Sequence, residues 1–211
     1  MNFDIEKISA IACYRLLIGA VVPRPIAWVS TLSESGVANL APYSFFTVAS
    51  CAPPVLAFVQ VIPRDNTEKD TLRNLRQTKQ CVVNVVSAEN AEVMNASCAD
   101  YPSDISEFDA VGIPFVASHS VSPPGVANAQ VRFECTLREI QCIANQPMGG
   151  NLILLDVVNI FVDDAVLRDG NIDTMALDAI GRLAGDSYAN TRQTFDLARP
   201  MLTKPLKKKT P

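Results

Sequence analysis

Alternating apolar and polar residues recur along most of this chain, and this period-two pattern limits its possible folds more than any other feature. Positions 26–31 alternate, Glu34-Ser35-Gly36 supplies a tight turn, and apolar residues return at 37–41, which predicts a β-hairpin. Pro53 and Pro54 then precede an almost continuously apolar run at 55–61. A run of that length and composition is typical of a strand that is buried on both faces.

The rest of the chain predicts further strands and few helices. Strand patterns occur at 81–86, 131–138 and 152–162, while helical patterns occur at 70–77 and from a capping serine, Ser87, to about position 98. This order lacks the strand–helix alternation of a parallel sheet. We therefore predict a mainly β fold, an antiparallel β-barrel that is closed or nearly closed and carries peripheral helices. The proline-rich residues 101–125 predict a long irregular segment of the kind that covers a site.

Length and composition restrict the size and the partners of the protein. With 211 residues, 48% of them hydrophobic, the chain can bury one core but is short for two, so we predict a single domain over 1–200. Residues 201–211 form a lysine-rich tail that we expect to be disordered. The formal net charge is −4 although four lysines lie in that tail. The domain therefore offers no basic face to nucleic acid.

Neither a membrane segment nor a metal site is indicated. No apolar run approaches the roughly 18 residues of a spanning helix, and the N-terminus lacks the layout of a signal peptide, so we expect a soluble, cytoplasmic protein without a membrane partner. The six cysteines form no C-x-x-C pair and are interpreted as reduced core residues. The single histidine, His119, has no metal-ligand spacing to any of them and is expected at the surface rather than on a substrate.

Two segments combine cations and hydroxyls in the way that a ligand with a phosphate and a planar ring would require. Arg24 lies between two prolines in an apolar stretch, so it needs a counter-charge, either a ligand phosphate or an internal ion pair. Lys69-Asp70-Thr71 stands at the predicted start of a helix, where free backbone N–H groups and the helix dipole favour an anion. Thr67 or Asp70 could cap this helix, and Asp70 could instead contact the ligand.

Aromatic residues accompany these polar groups. Trp28, Phe45 and Phe46 could stack on a planar ring, but aromatic side chains at alternating strand positions usually pack in the core, which is the interpretation we prefer. Neither G-x-G-x-x-G nor G-x-x-x-x-G-K occurs. A nucleotide would therefore be held by side chains and by a helix end rather than by a glycine-rich loop.

Four segments in this order resemble the flavin reductase-like family of FMN-binding split β-barrels. They are P-R-P-I-A-W-V-S-T at 23–31, N-L-A-P-Y-S-F-F at 39–46, the strand that follows Pro54, and K-D-T-L-R-N at 69–74. The motifs cover residues 14–86, and the remainder matches mainly in its layout of strands. The resemblance implies a Greek-key split barrel, a homodimer with two FMN sites near its interface, and reduction of FMN by hydride from NADH or NADPH.

The resemblance also implies a set of site residues. Arg24 and Lys69 would neutralise the phosphate, with Thr71 and the helix-end N–H groups adding hydrogen bonds. The complete set of predicted FMN-binding residues is Arg24, Ser30, Thr31, Asn39, Ala41, Pro42, Ser44, Lys69, Asp70 and Thr71. The cofactor itself carries the chemistry of hydride transfer, so no catalytic residue is assigned.

The C-terminal half departs from the family pattern, which leaves the electron acceptor open. Leu155, Asp156 and Ala184 stand where similar proteins have glycine, glutamate and glycine, and a nearby histidine is missing. We predict an NAD(P)H-dependent FMN oxidoreductase that passes electrons to a second flavin or another small acceptor. Two alternatives stay open: an FMN-binding electron carrier of flavoredoxin type without a nicotinamide site, and a scaffold that has lost FMN. If FMN is bound, Arg182 and Tyr188 could close over it from the C-terminal segment.

Overall fold

The structure is a computed structural model that describes residues 1–201. The tail predicted at 201–211 lies outside the described residues except for its first position. The α-helices of the described part are α1 (Ala10–Ala20), α2 (Asp70–Thr78), α3 (Ala91–Ala96), α4 (Glu107–Val111) and α5 (Thr174–Leu177). Its strands are β1 (Arg24–Pro25), β2 (Ala27–Leu32), β3 (Ala38–Tyr43), β4 (Phe46–Cys51), β5 (Pro54–Val61), β6 (Gln80–Val85), β7 (Phe115–Val116), β8 (Gly125–Val126), β9 (Val131–Cys142), β10 (Gly150–Val162), β11 (Leu167–Arg168), β12 (Asn171–Ile172), β13 (Ile180–Arg182) and β14 (Tyr188–Asn190).

The main sheet is antiparallel and curls round until its two edges meet. Its seven strands run in the order β3-β2-β6-β9-β10-β5-β4. The edge strands are consecutive in the chain, because β3 ends at Tyr43 and β4 begins at Phe46. The N–H of Val59 in β5 donates to the carbonyl of Phe45 over 2.8 Å and ties this crossing to the sheet. The predicted mainly β, antiparallel barrel with peripheral helices is confirmed.

Every second residue of the barrel strands fills the interior. Leu56 and Phe58 of β5 pack there with Ile153 and Leu155 of β10, and Leu75 of α2 joins the same cluster. This alternation follows from the pleat, which directs successive side chains to opposite faces of a strand. Helix α2 therefore lies against the barrel with its apolar face inward.

A second core lies outside the barrel wall, beneath α3 and α4. Trp28 of β2 is fully buried there beside Met94 of α3 and Phe108 of α4. Its indole Nε1 donates to Ser97 Oγ over 3.0 Å, which satisfies the only polar group of the side chain. The interpretation of Trp28 as a core residue is confirmed.

Helix α2 matches the helix predicted at 70–77, but its start differs from the prediction. The N-cap residue is Lys69, whose side chain makes no capping hydrogen bond. Thr67 instead bonds to Asp65 in the preceding loop, and Asp70 is the first helical residue and pairs with Arg73. The predicted caps were wrong, so the first turn of α2 keeps backbone N–H groups that no side chain covers.

Three other segments differ from the sequence prediction. Helix α1 was not predicted, because it is apolar on nearly every side and none of its residues is buried, so no period of 3.6 marks it. The helix predicted from Ser87 is a 3-10 turn, Ala88–Asn90, followed by the short α3. The segment 101–125 is less irregular than predicted, since it contains α4 and begins the β7–β8 hairpin.

The cysteines are only partly core residues. All six are free, but Cys81 and Cys135 alone are buried, on facing positions of β6 and β9. Cys51, Cys98 and Cys142 are exposed, so their assignment to the core was wrong. These three lie at the end of a strand or beyond a short helix, where the alternating pattern that suggested burial breaks off.

The described residues contain no helix long and apolar enough to cross a membrane. In the same residues, no three His, Cys, Asp or Glu side chains come together as metal ligands would. His119 is exposed, and its backbone N–H donates to Glu134 over 2.8 Å. The surface position predicted for His119 is confirmed.

Candidate functional site

A cavity of about 510 Å³ opens between β3, the end of β5 and the first turn of α2. Seven of the ten predicted FMN-binding residues line it, and they come from two segments that are distant in sequence. Strand β3 and its continuation contribute four of them, and the start of α2 contributes three. The seven are Asn39, Ala41, Pro42, Ser44, Lys69, Asp70 and Thr71.

Two amide–hydroxyl hydrogen bonds fasten α2 to the β2–β3 hairpin beside this cavity. Asn39 Nδ2 donates to Thr71 Oγ1 over 2.9 Å, and Asn74 Nδ2 donates to Thr31 Oγ1 over 3.1 Å. The bonds lie side by side because Thr31 and Asn39 are cross-strand partners, while positions 71 and 74 are one turn apart on the helix. We call these four residues the hairpin–helix clamp. The clamp fixes where the N-terminus of α2 points.

The first turn of α2 presents donors to the cavity. Within residues 1–201, the backbone N–H groups of Asp70 and Thr71 have no hydrogen-bond acceptor. Lys69 lies beside them and its Nζ is 2.6 Å from Asp100 Oδ1, while Arg64 also lines the cavity. The carboxylate of Asp70 turns to Arg73, which reduces its repulsion of an anion. This end of the cavity therefore suits a negatively charged group.

One wall of the cavity carries two ionisable groups, Tyr43 and Glu107, whose pKa values are raised by burial. Burial raises the pKa of Tyr43 to about 12, although a hydrogen bond to Thr71 acts in the other direction. Burial likewise raises the pKa of Glu107, whose Oε2 accepts the Leu40 N–H over 2.8 Å. The ring of Tyr43 packs on Phe58 at a centroid distance of 4.8 Å. This wall is aromatic and offers hydrogen bonds without adding a cation.

Arg24 does not line the cavity. Its guanidinium donates to the carbonyls of Ile18, Val21 and Leu183 over 2.7, 2.8 and 2.9 Å, and its Nε donates to Ser44 Oγ over 3.3 Å. Burial lowers the pKa of this side chain. Carbonyl dipoles therefore offset its charge, rather than the internal ion pair that the sequence offered as one alternative. Arg24 contacts the cavity lining through Ser44 and through the ring of Phe45, whose centroid is 5.9 Å from its Cζ. Direct phosphate binding by Arg24 stays a prediction.

Ser30 and Thr31 are also outside the cavity lining, and both are fully buried in β2. Ser30 Oγ donates to the carbonyl of Pro124, and Thr31 belongs to the hairpin–helix clamp. These hydroxyls connect the barrel wall to neighbouring segments. Their predicted contact with a ligand is not tested by this arrangement and stays a prediction.

Several lining residues were not found from the sequence. Tyr14 comes from α1, Glu107 from α4, and Met148 from the loop before β10. Tyr14 and Met148 carry no motif, so nothing in the sequence distinguished them from other apolar residues. Glu107 gave no signal either, because α4 was not predicted and the burial of this side chain does not follow from an acidic residue in a proline-rich segment.

The three departures from the family pattern, Leu155, Asp156 and Ala184, lie outside the cavity lining, and so do Arg182 and Tyr188, which the sequence suggested could close over the flavin. Leu155 is fully buried inside the barrel, and Asp156 forms an ion pair with Arg138 at 2.7 Å on the barrel surface. Arg182 stacks on the ring of Tyr188 at 4.5 Å within the β13–β14 hairpin.

Comparisons with known proteins identify relatives along nearly the whole chain. A model of the flavin reductase like domain matches residues 18–177. An uncharacterised protein of Halalkalibacterium halodurans is 39% identical over 207 residues, which are 96% of this chain and 98% of that protein. Both matches extend well beyond the motif region at 14–86.

Two solved structures share the fold closely. Nitrilotriacetate monooxygenase component B from Bacillus cereus has a TM-score of 0.89 at 30% identity, covering 93% of this chain and 98% of that one. The 2-nitrobenzoate 2-nitroreductase of Pseudomonas fluorescens has a TM-score of 0.87 at 27% identity, covering 98% and 100%. Both names describe proteins of redox metabolism, although their stated substrates differ.

Proposed function

Because the chain belongs to the flavin reductase-like family, we propose that it is an FMN-dependent oxidoreductase that takes hydride from NADH or NADPH and passes electrons to a second flavin or another small acceptor. The observation that carries this proposal is the 510 Å³ cavity, whose lining includes seven of the ten predicted FMN-binding residues. The names of the two structural relatives support an oxidoreductase class. A cytoplasmic location is part of the same proposal.

The residues present in the cavity fit FMN. Lys69, Arg64 and the free N–H groups of α2 would hold the phosphate, which matches the donors and positive charge that phosphate requires. The apolar Pro42 and the half-buried Tyr43 would lie near the ring, with backbone groups of β3 available for its polar edge. When bound, FMN supplies a ring that accepts hydride and then gives up electrons.

The wall that contains Tyr43 and Glu107 has a definite role in this proposal. With its pKa of about 12, Tyr43 keeps its proton at neutral pH beside the first turn of α2. The carboxyl group of Glu107 holds the Leu40 N–H and so fixes β3 between Asn39 and Ala41. These residues orient a ligand and exclude water, and neither must transfer a proton.

We further propose that the protein acts as a homodimer. Helix α1 has no buried residue and exposes apolar side chains, among them Leu17 at 57% and Val21 at 61%. Two further apolar side chains on the barrel surface, Val48 of β4 and Ile160 of β10, are more than half exposed. Apolar surface of this extent is typical of an interface between subunits. Because Tyr14 of α1 lines the cavity, an interface on α1 would border the flavin site.

A comparison of FMN with riboflavin tests the proposed site. The two ligands share the ring and differ in the phosphate, so binding at the start of α2 predicts that FMN binds about 10- to 100-fold more tightly. Titrations followed by flavin fluorescence measure both affinities. Equal affinities for the two ligands would contradict the phosphate assignment, and failure of both to bind would favour the scaffold alternative.

A further inference from the structure

A second cavity, of about 390 Å³, lies at the mouth of the barrel. It is bounded by the ends of β5, β9 and β10 and by the outer part of α2. The loop at 63–69 separates it from the flavin cavity, because Arg64 and Lys69 face the first cavity while Asn66, Thr67 and Glu68 face the second. Barrel mouths are a common location of small-molecule sites.

The floor of this cavity carries a buried pair of amides where the barrel pattern calls for apolar side chains. Gln60 and Asn151 are 2% and 4% exposed. They are cross-strand partners and continue the inward-facing rows of Phe58 and Ile153. Asn151 Nδ2 donates to Gln60 Oε1 over 3.0 Å, and Gln60 Nε2 donates to the Val61 carbonyl over 2.8 Å. Asn and Gln are rarely buried at positions that face a barrel interior, where apolar side chains would pack better, so this pair points to a role in binding.

One polar atom of this pair is left for a ligand. Among residues 1–201, Asn151 Oδ1 accepts no hydrogen bond, yet it is not sealed inside the protein. It therefore offers an acceptor to the cavity, beside the remaining N–H of Gln60 Nε2. A single Asn or Gln amide recognises the edge of adenine with one acceptor and one donor. Here Asn151 Oδ1 and Gln60 Nε2 offer the same two kinds of group from two side chains.

The remaining lining specifies an uncharged, flat ligand. Ile62 and Leu72 are buried and provide an apolar surface on the floor. The two charged residues of the lining, Glu68 and Arg76, are paired with each other, so the cavity carries no net charge. The planar guanidinium of Arg76 stands at the rim, where it can lie over a ring.

We propose that this barrel-mouth cavity is a second ligand site, which binds adenine or a similar uncharged ring with an amide-like edge. The base could belong to a free nucleoside or to the adenine end of a dinucleotide. Binding here does not depend on FMN, because the lining is distinct except at Gln60 and Ile62, which border both cavities.

Three exposed cysteines provide a built-in test. Cys142 lines the second cavity, Cys98 lines the first, and Cys51 lines neither. The rate of alkylation at each thiol, measured by mass spectrometry of the full chain, reports which cavity is filled. Adenosine and NADH are added separately, with FMN as a third ligand.

We expect adenosine or NADH to slow alkylation of Cys142 without FMN present, while FMN slows only Cys98. Protection of Cys142 by adenosine indicates recognition of a free nucleoside, whereas protection by NADH alone indicates the dinucleotide. Unchanged Cys142 reactivity with both ligands would overturn the proposal. Loss of FMN binding would instead contradict the proposed function, so the two failures are distinguishable.

Variants then test whether the protection of Cys142 from alkylation depends on the side-chain amides of Gln60 and Asn151. The double variant Gln60→Leu/Asn151→Leu removes both partners together and leaves no unpaired amide. We expect it to weaken adenosine or NADH protection of Cys142 about tenfold, while Gln77→Leu, on the exposed side of α2, leaves it unchanged. Cooperative urea unfolding of each variant shows that it is folded. If the double variant does not fold, the single variant Asn151→Ala, which removes the free acceptor Oδ1, takes its place. Undiminished protection in a folded variant would overturn the assignment.

Discussion

The side-chain amide of Asn39 donates to Thr71 Oγ1 over 2.9 Å, and this contact joins the two sequence motifs that the flavin site needs. One motif lies on β3 and the other begins α2. The parallel bond between Asn74 and Thr31 completes the clamp. Residues that look like ligand contacts in the sequence therefore also have a structural task, which is to place the N-terminus of α2 at the cavity.

The clamp predicts a linked loss of stability and of flavin affinity. In Thr71→Val, the amide of Asn39 loses its acceptor while buried, so the free energy of unfolding falls by about 1–3 kcal/mol. FMN binding weakens as well, because the start of α2 is no longer held. Urea unfolding and FMN titration measure the two effects. Thr71→Ser keeps the hydroxyl and should restore both, and an unaltered Thr71→Val protein would contradict the clamp.

Lys69 should account for much of the preference for FMN over riboflavin. Lys69→Gln removes a positive charge next to the phosphate, so FMN binding weakens by about 1.5–3 kcal/mol and riboflavin binding stays unchanged. Lys79→Gln, just beyond the other end of α2, is the matched control and should leave both affinities intact. The effect should shrink in high salt, since Lys69 is partly exposed. Equal weakening by both substitutions would argue against a local phosphate contact.

Arg24 should affect stability more than ligand binding. Arg24→Ala strips the Ile18, Val21 and Leu183 carbonyls of their donor, and we expect the free energy of unfolding to fall by about 2–4 kcal/mol. FMN affinity of the folded protein should change about as little as in Ser44→Ala, because the guanidinium is turned towards these carbonyls and Arg24 does not line the cavity. A loss of FMN affinity well beyond that of Ser44→Ala would show that Arg24 binds the phosphate directly.

Because the pKa of Tyr43 is raised, we expect the free energy of unfolding to depend on pH in the alkaline range. Its folded-state pKa of about 12 lies above the unfolded value of about 10, so the stabilising effect is complete below pH 10 and is lost as the pH rises towards 12. Wild type should lose about 1–3 kcal/mol of unfolding free energy over this interval. Tyr43→Phe should show a smaller loss, whereas Tyr14→Phe retains the wild-type curve. If the free energy of unfolding depended on pH in the same way in wild type and in Tyr43→Phe, ionisation of Tyr43 would be excluded as the cause of the alkaline loss of stability.

Helix α1 should mediate dimerisation. Leu17 is 57% exposed on a helix that buries nothing, so Leu17→Glu introduces a charge into the proposed interface and should shift the protein from dimer to monomer. Leu197→Glu, at an exposed residue outside α1, is the control. Sedimentation velocity distinguishes the two states, and a wild-type monomer or a dimeric Leu17→Glu variant would each contradict the proposal.

The barrel could be predicted from the sequence because its strands are long and alternate cleanly. Strands β2, β5 and β6 and helix α2 lie close to their predicted positions. The three strands are buried on both faces and so form short apolar runs between turns, whereas α2 buries one regular face. Helix α1 could not be predicted, because it has no buried face that would impose a period. The short α4 could not be predicted either, because a helix of five residues in a proline-rich segment is too short to show a helical period.

The candidate site was predictable in outline but not in its contacts. Lys69 and Asn39 could be paired because their motifs resemble a family pattern, and the structure brings both to one cavity. The sequence could not show that the Arg24 guanidinium donates to three backbone carbonyls. Every residue has a carbonyl group, so no residue type or spacing marks such a partner. Gln60 and Asn151 were hidden in apolar strands, and only their cross-strand register shows that the two amides meet.

The central claim, that this chain uses NAD(P)H to reduce bound FMN, is tested most directly by an anaerobic absorbance spectrum of the FMN-loaded protein before and after addition of NADH or NADPH. The account predicts that the oxidised flavin bands bleach with at least one of the two nucleotides. A bound flavin whose spectrum responds to neither nucleotide, yet bleaches with dithionite, would contradict the claim and identify the protein as an electron carrier.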